Sequence, residues 1–102
     1  MTTEQPIIQT VIFTLQPYVL RDEFVNIAQR RFDWLSAQDG FVSYELSEGE
    51  ADDQNWCERI VWQNMPAAMQ ATQFFMMQKT YQQLELLINE NYTGIFAKPI
   101  LF

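Results

Sequence analysis

The run IIQTVIFTLQ at residues 7–16 predicts a strand, because branched residues dominate it and Pro17 ends it. Its odd positions Ile7, Val11, Phe13 and Leu15 form one apolar face. Ile8 and Ile12, separated by Thr10 and Thr14, make the other face half apolar. Over residues 20–37 the period changes. Phe24, Ile27, Ala28, Phe32 and Leu35 recur at helical spacing, and Asp22 and Glu23 sit in the first turn, where they favour the helix dipole. Asp39 and Gly40 end this helix, with Gly40 suited to a left-handed cap. Alternation returns in FVSYELS, residues 41–47, with Val42, Tyr44 and Leu46 on one face and Ser43, Glu45 and Ser47 on the other.

Residues 48–54, EGEADDQ, form a polar loop whose four carboxylates lack the spacing of a calcium loop and read as a solvated hairpin tip. Residues 55–63, NWCERIVWQ, predict the next strand, in which Trp56, Glu58, Ile60 and Trp62 share a face opposite Cys57, Arg59 and Val61. Asn64 is placed to cap a second helix with Pro66 in its first turn. Met65, Ala68, Met69, Thr72, Phe75, Met76 and Lys79 carry its 3.6-residue period, and propensity weakens at Lys79, Thr80 and Tyr81. A further helical stretch at residues 82–90 carries Leu84, Leu87 and Ile88. Residues 91–94 break it, and the apolar tail 95–102, interrupted by Pro99, suits an edge strand or an arm crossing to a partner.

The order β-α-β-β-α-β is that of the ferredoxin-like split βαβ motif, an α+β fold with a four-stranded antiparallel sheet and the helices on one face. Two helices cover one face of such a sheet, yet the strands carry apolar residues on both. The 102 residues leave no third layer, so the uncovered face calls for a second copy packed sheet to sheet, a homodimer. The length fits one domain over residues 1–102, with no internal repeat, low-complexity segment or linker.

Composition narrows the chemistry. Net charge is −7, from 13 acidic against 6 basic residues, and Arg30 and Arg31 form the one adjacent basic pair. Nucleic acid and anionic membranes are therefore not expected partners. No apolar run approaches the roughly 20 residues of a membrane span, and polar residues 1–5 do not read as a signal peptide. There is no histidine, which removes the usual general base and the commonest metal ligand. Cys57 is alone, so no intrachain disulfide or cysteine–histidine zinc site forms, and a cytoplasmic location fits. As a nucleophile Cys57 lacks an activating histidine; it reads as a half-buried strand residue.

The stretch Asp39-Gly40-Phe41-x-x-Tyr44-x-Leu46, followed by an acidic hairpin, a strand closing at Trp62, the cap Asn64, and a helix with Ala67, Ala68, Phe74 and Phe75, resembles the antibiotic biosynthesis monooxygenase-like family of the dimeric α+β barrel superfamily. The likeness runs over about residues 7–98 by element order and spacing. It implies a dimer whose two sheets close a barrel, with a pocket between sheet and helices in each subunit. Characterised members include oxygenases of quinols or aromatic polyketides that use neither metal nor flavin; others degrade haem. This sequence departs from the pattern at three places. The second helix offers Gln70, Gln73 and Gln78 where a histidine often stands, Ile60 occupies the place of a glutamate before the strand-ending Trp, and the first strand has no asparagine. Haem degradation is disfavoured without its axial histidine, whereas cofactor-free quinol oxidation needs neither metal nor histidine.

The resemblance thus implies a cofactor-independent monooxygenase that oxidises a small aromatic or quinol-type substrate with O2, with no cofactor and no metal. Trp62 matches the family tryptophan and is a catalytic candidate that would hold a substrate oxygen; its other reading is a core residue beneath the second helix. Glu58 is the candidate base if buried, about 13 Å along the strand from Trp62; otherwise it is a paired strand carboxylate. Tyr44, Arg59, Thr72, Phe75 and Met76 are the substrate-binding candidates, Arg59 having a cross-strand or dimer salt bridge as its alternative. Met65, Met69, Met76 and Met77 serve either as an adaptable wall or as core packing. The alternative functions are a non-catalytic homodimer that binds a small aromatic or hydrophobic ligand, and a superfamily isomerase with Glu58 as its proton shuttle.

Overall fold

In the computed structural model the described residues are 5–51 and 54–102. Residues 1–4, and with them the expectation about the chain's start, lie outside this set, as do two of the loop carboxylates, Asp52 and Asp53. The elements are β1 (Ile7–Thr14), α1 (Arg21–Ser36), β2 (Phe41–Glu48), β3 (Asn55–Trp62), α2 (Met65–Phe75), α3 (Lys79–Leu87) and β4 (Thr93–Ala97). The strands form one antiparallel sheet in the order β2-β3-β1-β4. Placing β3 between β1 and β2 makes this the split βαβ topology, with α1 as the crossover.

The period-two pattern sorts the sheet faces as expected. Even positions of β3 face the helices, and Trp56, Glu58, Ile60 and Trp62 are all buried. Opposite them in the register stand Phe13, Val11, Gln9 and Ile7 of β1. The helices supply Phe24, Ala28 and Leu35 from α1, Ala68, Ala71 and Phe75 from α2, and Leu84 and Leu87 from α3. The core divides in two. One cluster gathers Phe13, Phe24, Trp56, Phe75 and Leu84; the other gathers Leu35, Ile60, Trp62, Ala68 and Ala71.

Three boundaries differ from the sequence expectation. In β2 the register slips between Phe41 and Ser43, so Phe41 packs against Trp62 and Val42 is left 53% exposed. A bulge adds one residue to a strand and turns the neighbouring side chains to opposite faces, which periodicity alone does not reveal. The α2–α3 break falls at Met76 to Gln78, ahead of the weak-propensity residues, and α3 starts at Lys79. There Tyr81 packs edge-on against Phe75 at 6.0 Å, and this contact carries a turn of poor helix formers. Last, β4 begins at Thr93, because pairing with Ile12 to Ile8 of β1 aligns residues 93–97 despite Gly94. Pro99 follows the strand.

Two local devices set the site-bearing elements. Asn64 accepts a hydrogen bond from the Ala67 backbone N–H at 2.8 Å and so caps α2. Gly40 holds φ +83°, and a Cβ there would lie 2.5 Å from Ala67 Cβ. Glycine is needed both for the left-handed turn and for the close approach of α2.

Candidate functional site

Alternation along β3 puts Glu58 on the apolar face between Trp56 and Ile60, where the residue is only 7% exposed. A carboxylate in such a place must be paired. Its partner is Arg31 of α1. Phe24, Ala28, Arg31 and Leu35 follow the i, i+4, i+7, i+11 spacing of a single helix stripe, so the arginine stands in the row that faces the sheet. Arg31 Nε donates to Glu58 Oε2 at 2.7 Å and Nη2 to Oε1 at 2.8 Å, a two-pronged bond. The Tyr44 hydroxyl of β2 donates to Oε2 at 2.7 Å. The Phe75 ring of α2 lies under the guanidinium, 4.5 Å from its carbon. Two helices and a neighbouring strand thus converge on the ion pair that β3 carries.

The electrostatics follow from this packing. Burial disfavours the charged form of Arg31, but the adjacent Glu58 charge and its hydrogen bonds outweigh that and hold the guanidinium protonated beyond its ordinary range. Burial pushes the Tyr44 phenol well above its usual range, and the Glu58 carboxylate that accepts its proton pushes it further. The Arg31 charge opposes this and loses.

Arg31 and Glu58 form part of the wall of a cavity of about 370 Å³ between the sheet and the helices. That size lies near the lower end of small-molecule sites, about 300–1,000 Å³. Phe13, Phe24, Ala28, Phe75, Leu84 and Ile88 give it an apolar and aromatic body. Glu85 of α3, with Glu90 and Tyr92 from the α3–β4 connection, stands at the exposed mouth. The connection is fixed there because Gln16 N–H donates to the Leu87 carbonyl and Asn89 N–H to the Thr14 carbonyl.

Of the expected site residues, the structure brings together Glu58, Phe75 and Tyr44; the first two line the cavity and Tyr44 reaches it through Glu58. It places the others elsewhere. Trp62 is fully buried in the second core cluster, outside the cavity lining, and its indole N–H donates to Gln9 Oε1 at 3.0 Å. Arg59 is exposed on the opposite sheet face, across from Glu45 and Thr10. Thr72 turns its hydroxyl back to the Ala68 carbonyl at 2.8 Å. Met76 is 52% and Met77 77% exposed beyond the end of α2. Arg31 is the residue sequence reasoning passed over, being counted with Arg30 as a meagre basic patch. The available signal was its place in the apolar stripe of α1, facing a strand row that carries one carboxylate.

Among the described residues, no group of three or more His, Cys, Asp or Glu gathers as a metal site, and no helix is long and apolar enough to cross a membrane. No protein-family model matches the chain, and no curated protein matches it significantly. Solved structures do share its fold. SnoaB, a cofactor-independent oxygenase from Streptomyces nogalater, superposes with a TM-score of 0.80 in a variant form, at 18% identity over 96% of each chain. A second SnoaB structure gives 0.75 at 20% identity, over 95% of this chain and 97% of that one. Rv0793 from Mycobacterium tuberculosis gives 0.74 at 18% identity, over 95% and 97%. The ferredoxin-like α+β fold implied by the resemblance is the fold observed, and at these identities the likeness is one of fold.

Proposed function

We propose that this protein is a cofactor-independent monooxygenase that oxidises a small aromatic or quinol-type substrate with O2, and that it works as a homodimer. The observation that carries the reading is a largely buried carboxylate–guanidinium pair set into the wall of a cavity whose body is aromatic and aliphatic. The fold it shares with an oxygenase from Streptomyces nogalater supports it.

In this reading the substrate is an aromatic with an ionisable hydroxyl and an oxidisable ring carbon. Its hydroxyl gives a proton to Glu58. The anion formed faces Arg31, so the guanidinium has an anionic partner before and after the transfer and no charge is stranded in the cavity. The electron-rich anion passes an electron to O2, and the radical pair joins as a peroxide at the ring carbon. Glu58 returns the proton to the peroxide, the O–O bond breaks, and water leaves with the hydrogen of that carbon. One oxygen atom ends in the product carbonyl and one in water; the substrate supplies all four electrons that the two oxygen atoms take up. Tyr44 is then a positioning residue for Glu58, Phe75 holds Arg31 and forms a wall, and Trp62 supports the sheet beside the site.

A second reading, a homodimer that binds a small aromatic or hydrophobic ligand without chemistry, is favoured by one observation: both oxygens of Glu58 already accept hydrogen bonds within the protein. Oxygen uptake with a panel of benzo- and naphthohydroquinones, corrected for autoxidation, separates the two. The oxygenase predicts saturable uptake that Glu58→Gln lowers by about 100-fold or more, as loss of a general base does. Uptake equal to the buffer blank, with the same compounds bound, would leave the binding protein.

A further inference from the structure

We propose that the cavity admits uncharged aromatic ligands and rejects those carrying a carboxylate, through Glu85 and Glu90 at its mouth and through Glu58, which keeps Arg31 from acting as a free cation. The inference rests on the cavity being an aromatic-binding site and adds the charge of its ligand.

Among the described residues of the lining there is one cation, Arg31, and there are three carboxylates, Glu58, Glu85 and Glu90. The inner two charges cancel, because Arg31 grips Glu58 through Nε and Nη2. The outer two have no cation facing them in the lining. Glu85 sits one turn after Tyr81 on α3, and its carboxylate beside the Tyr81 hydroxyl pushes that phenol above its usual range. Glu90 follows α3, and both carboxylates are exposed at the entrance. A net charge of −7 on the chain adds a field of the same sign. An arriving anion meets repulsion first. Further in, it would lose its hydration between Phe13, Phe24 and Phe75, with no unpaired cation to replace it. A neutral phenol meets neither cost. At the inner wall its hydroxyl finds Glu58 as acceptor and the guanidinium N–H groups of Arg31 that the ion pair leaves over, three of five.

The test uses two probes of nearly equal shape and different charge, 2-naphthamide and 2-naphthoate, by equilibrium dialysis at pH 7 and low salt. Wild type should bind the amide about tenfold or more tighter than the carboxylate. In the Glu85→Gln/Glu90→Gln double variant the ratio should fall to about threefold or less, since the amides keep the shape of the mouth and remove its charge. Equal binding of the two probes by wild type would overturn the inference. So would a preference that survives unchanged in the double variant. The two readings fail separately. Quinol-dependent oxygen uptake alongside equal probe binding removes charge selection alone. A preserved amide preference without uptake removes the oxygenase alone. Absence of binding by either probe removes the aromatic site and this inference with it.

Discussion

Arg31 and Glu58 are each worth more to the fold as a pair than either is alone. Their side chains are 16% and 9% exposed, so removing one leaves a charge with little water to replace its partner. Arg31→Met should therefore cost about 3–5 kcal/mol in urea unfolding. Adding Glu58→Leu to that variant should recover part of the loss, because no buried charge remains. A double variant less stable than Arg31→Met would mean the pair is not coupled as its geometry indicates. Tyr44 gives a pH signature. Its phenol is held protonated by burial and by Glu58, so its pKa in the folded chain lies above its pKa in the unfolded chain. For a raised pKa the associated stability is present in full below the unfolded value, about pH 10, and declines as pH rises beyond it, because the unfolded chain releases the proton first. Wild type should lose stability above that pH more steeply than Tyr44→Phe; parallel curves would show that the Tyr44 proton is not held.

At the scale of elements, the tightest constraint is where the α1–β2 turn meets α2. An alanine at Gly40 would combine a left-handed backbone with a Cβ 2.5 Å from that of Ala67. Gly40→Ala should cost on the order of 2–4 kcal/mol, from the conformational penalty and the forced movement of α2. Ala67→Gly in the same chain should return the part due to the clash and none of the backbone part; no rescue at all would place the whole cost in the turn. Gly40 and Asn64 were legible in the sequence, because each is a local signal at an element's end. So were the two faces of β1 and β3, where alternation is undisturbed. The slip at Phe41 was not, since a bulge breaks the period that reveals a strand. The start of α3 was not, since it depends on Tyr81 finding Phe75 across a turn. Arg31 stayed hidden for a related reason. Residue type marked it as surface, and only the facing row of β3 supplies the carboxylate that lets it lie inside.

For the whole molecule the question is what lies against the face of the sheet that the helices leave open. Registers place Ile8 and Ile12 of β1, Cys57 and Val61 of β3 and Ile95 of β4 on that face. Ile12 is 49% and Ile95 56% exposed. Thr10 and Arg59 pair across the middle of this face, with Ile8 and Val61 on one side and Ile12 and Cys57 on the other. A second copy of the same face related by a two-fold axis would cover these aliphatic residues and give each Arg59 the partner's Glu45 to pair with. Light scattering on the eluting protein should then give about twice 12.1 kDa at micromolar concentration. Ile12→Arg puts two like charges into the middle of that interface and should shift the mass to that of one chain, while the helix-side cavity, on the other face of the sheet, still binds its ligand. A variant that remains a dimer would move the interface off this face. A wild type that is already a monomer would leave the strip of Ile8, Ile12, Val61 and Ile95 exposed to water, and the two-fold arrangement would fall with it.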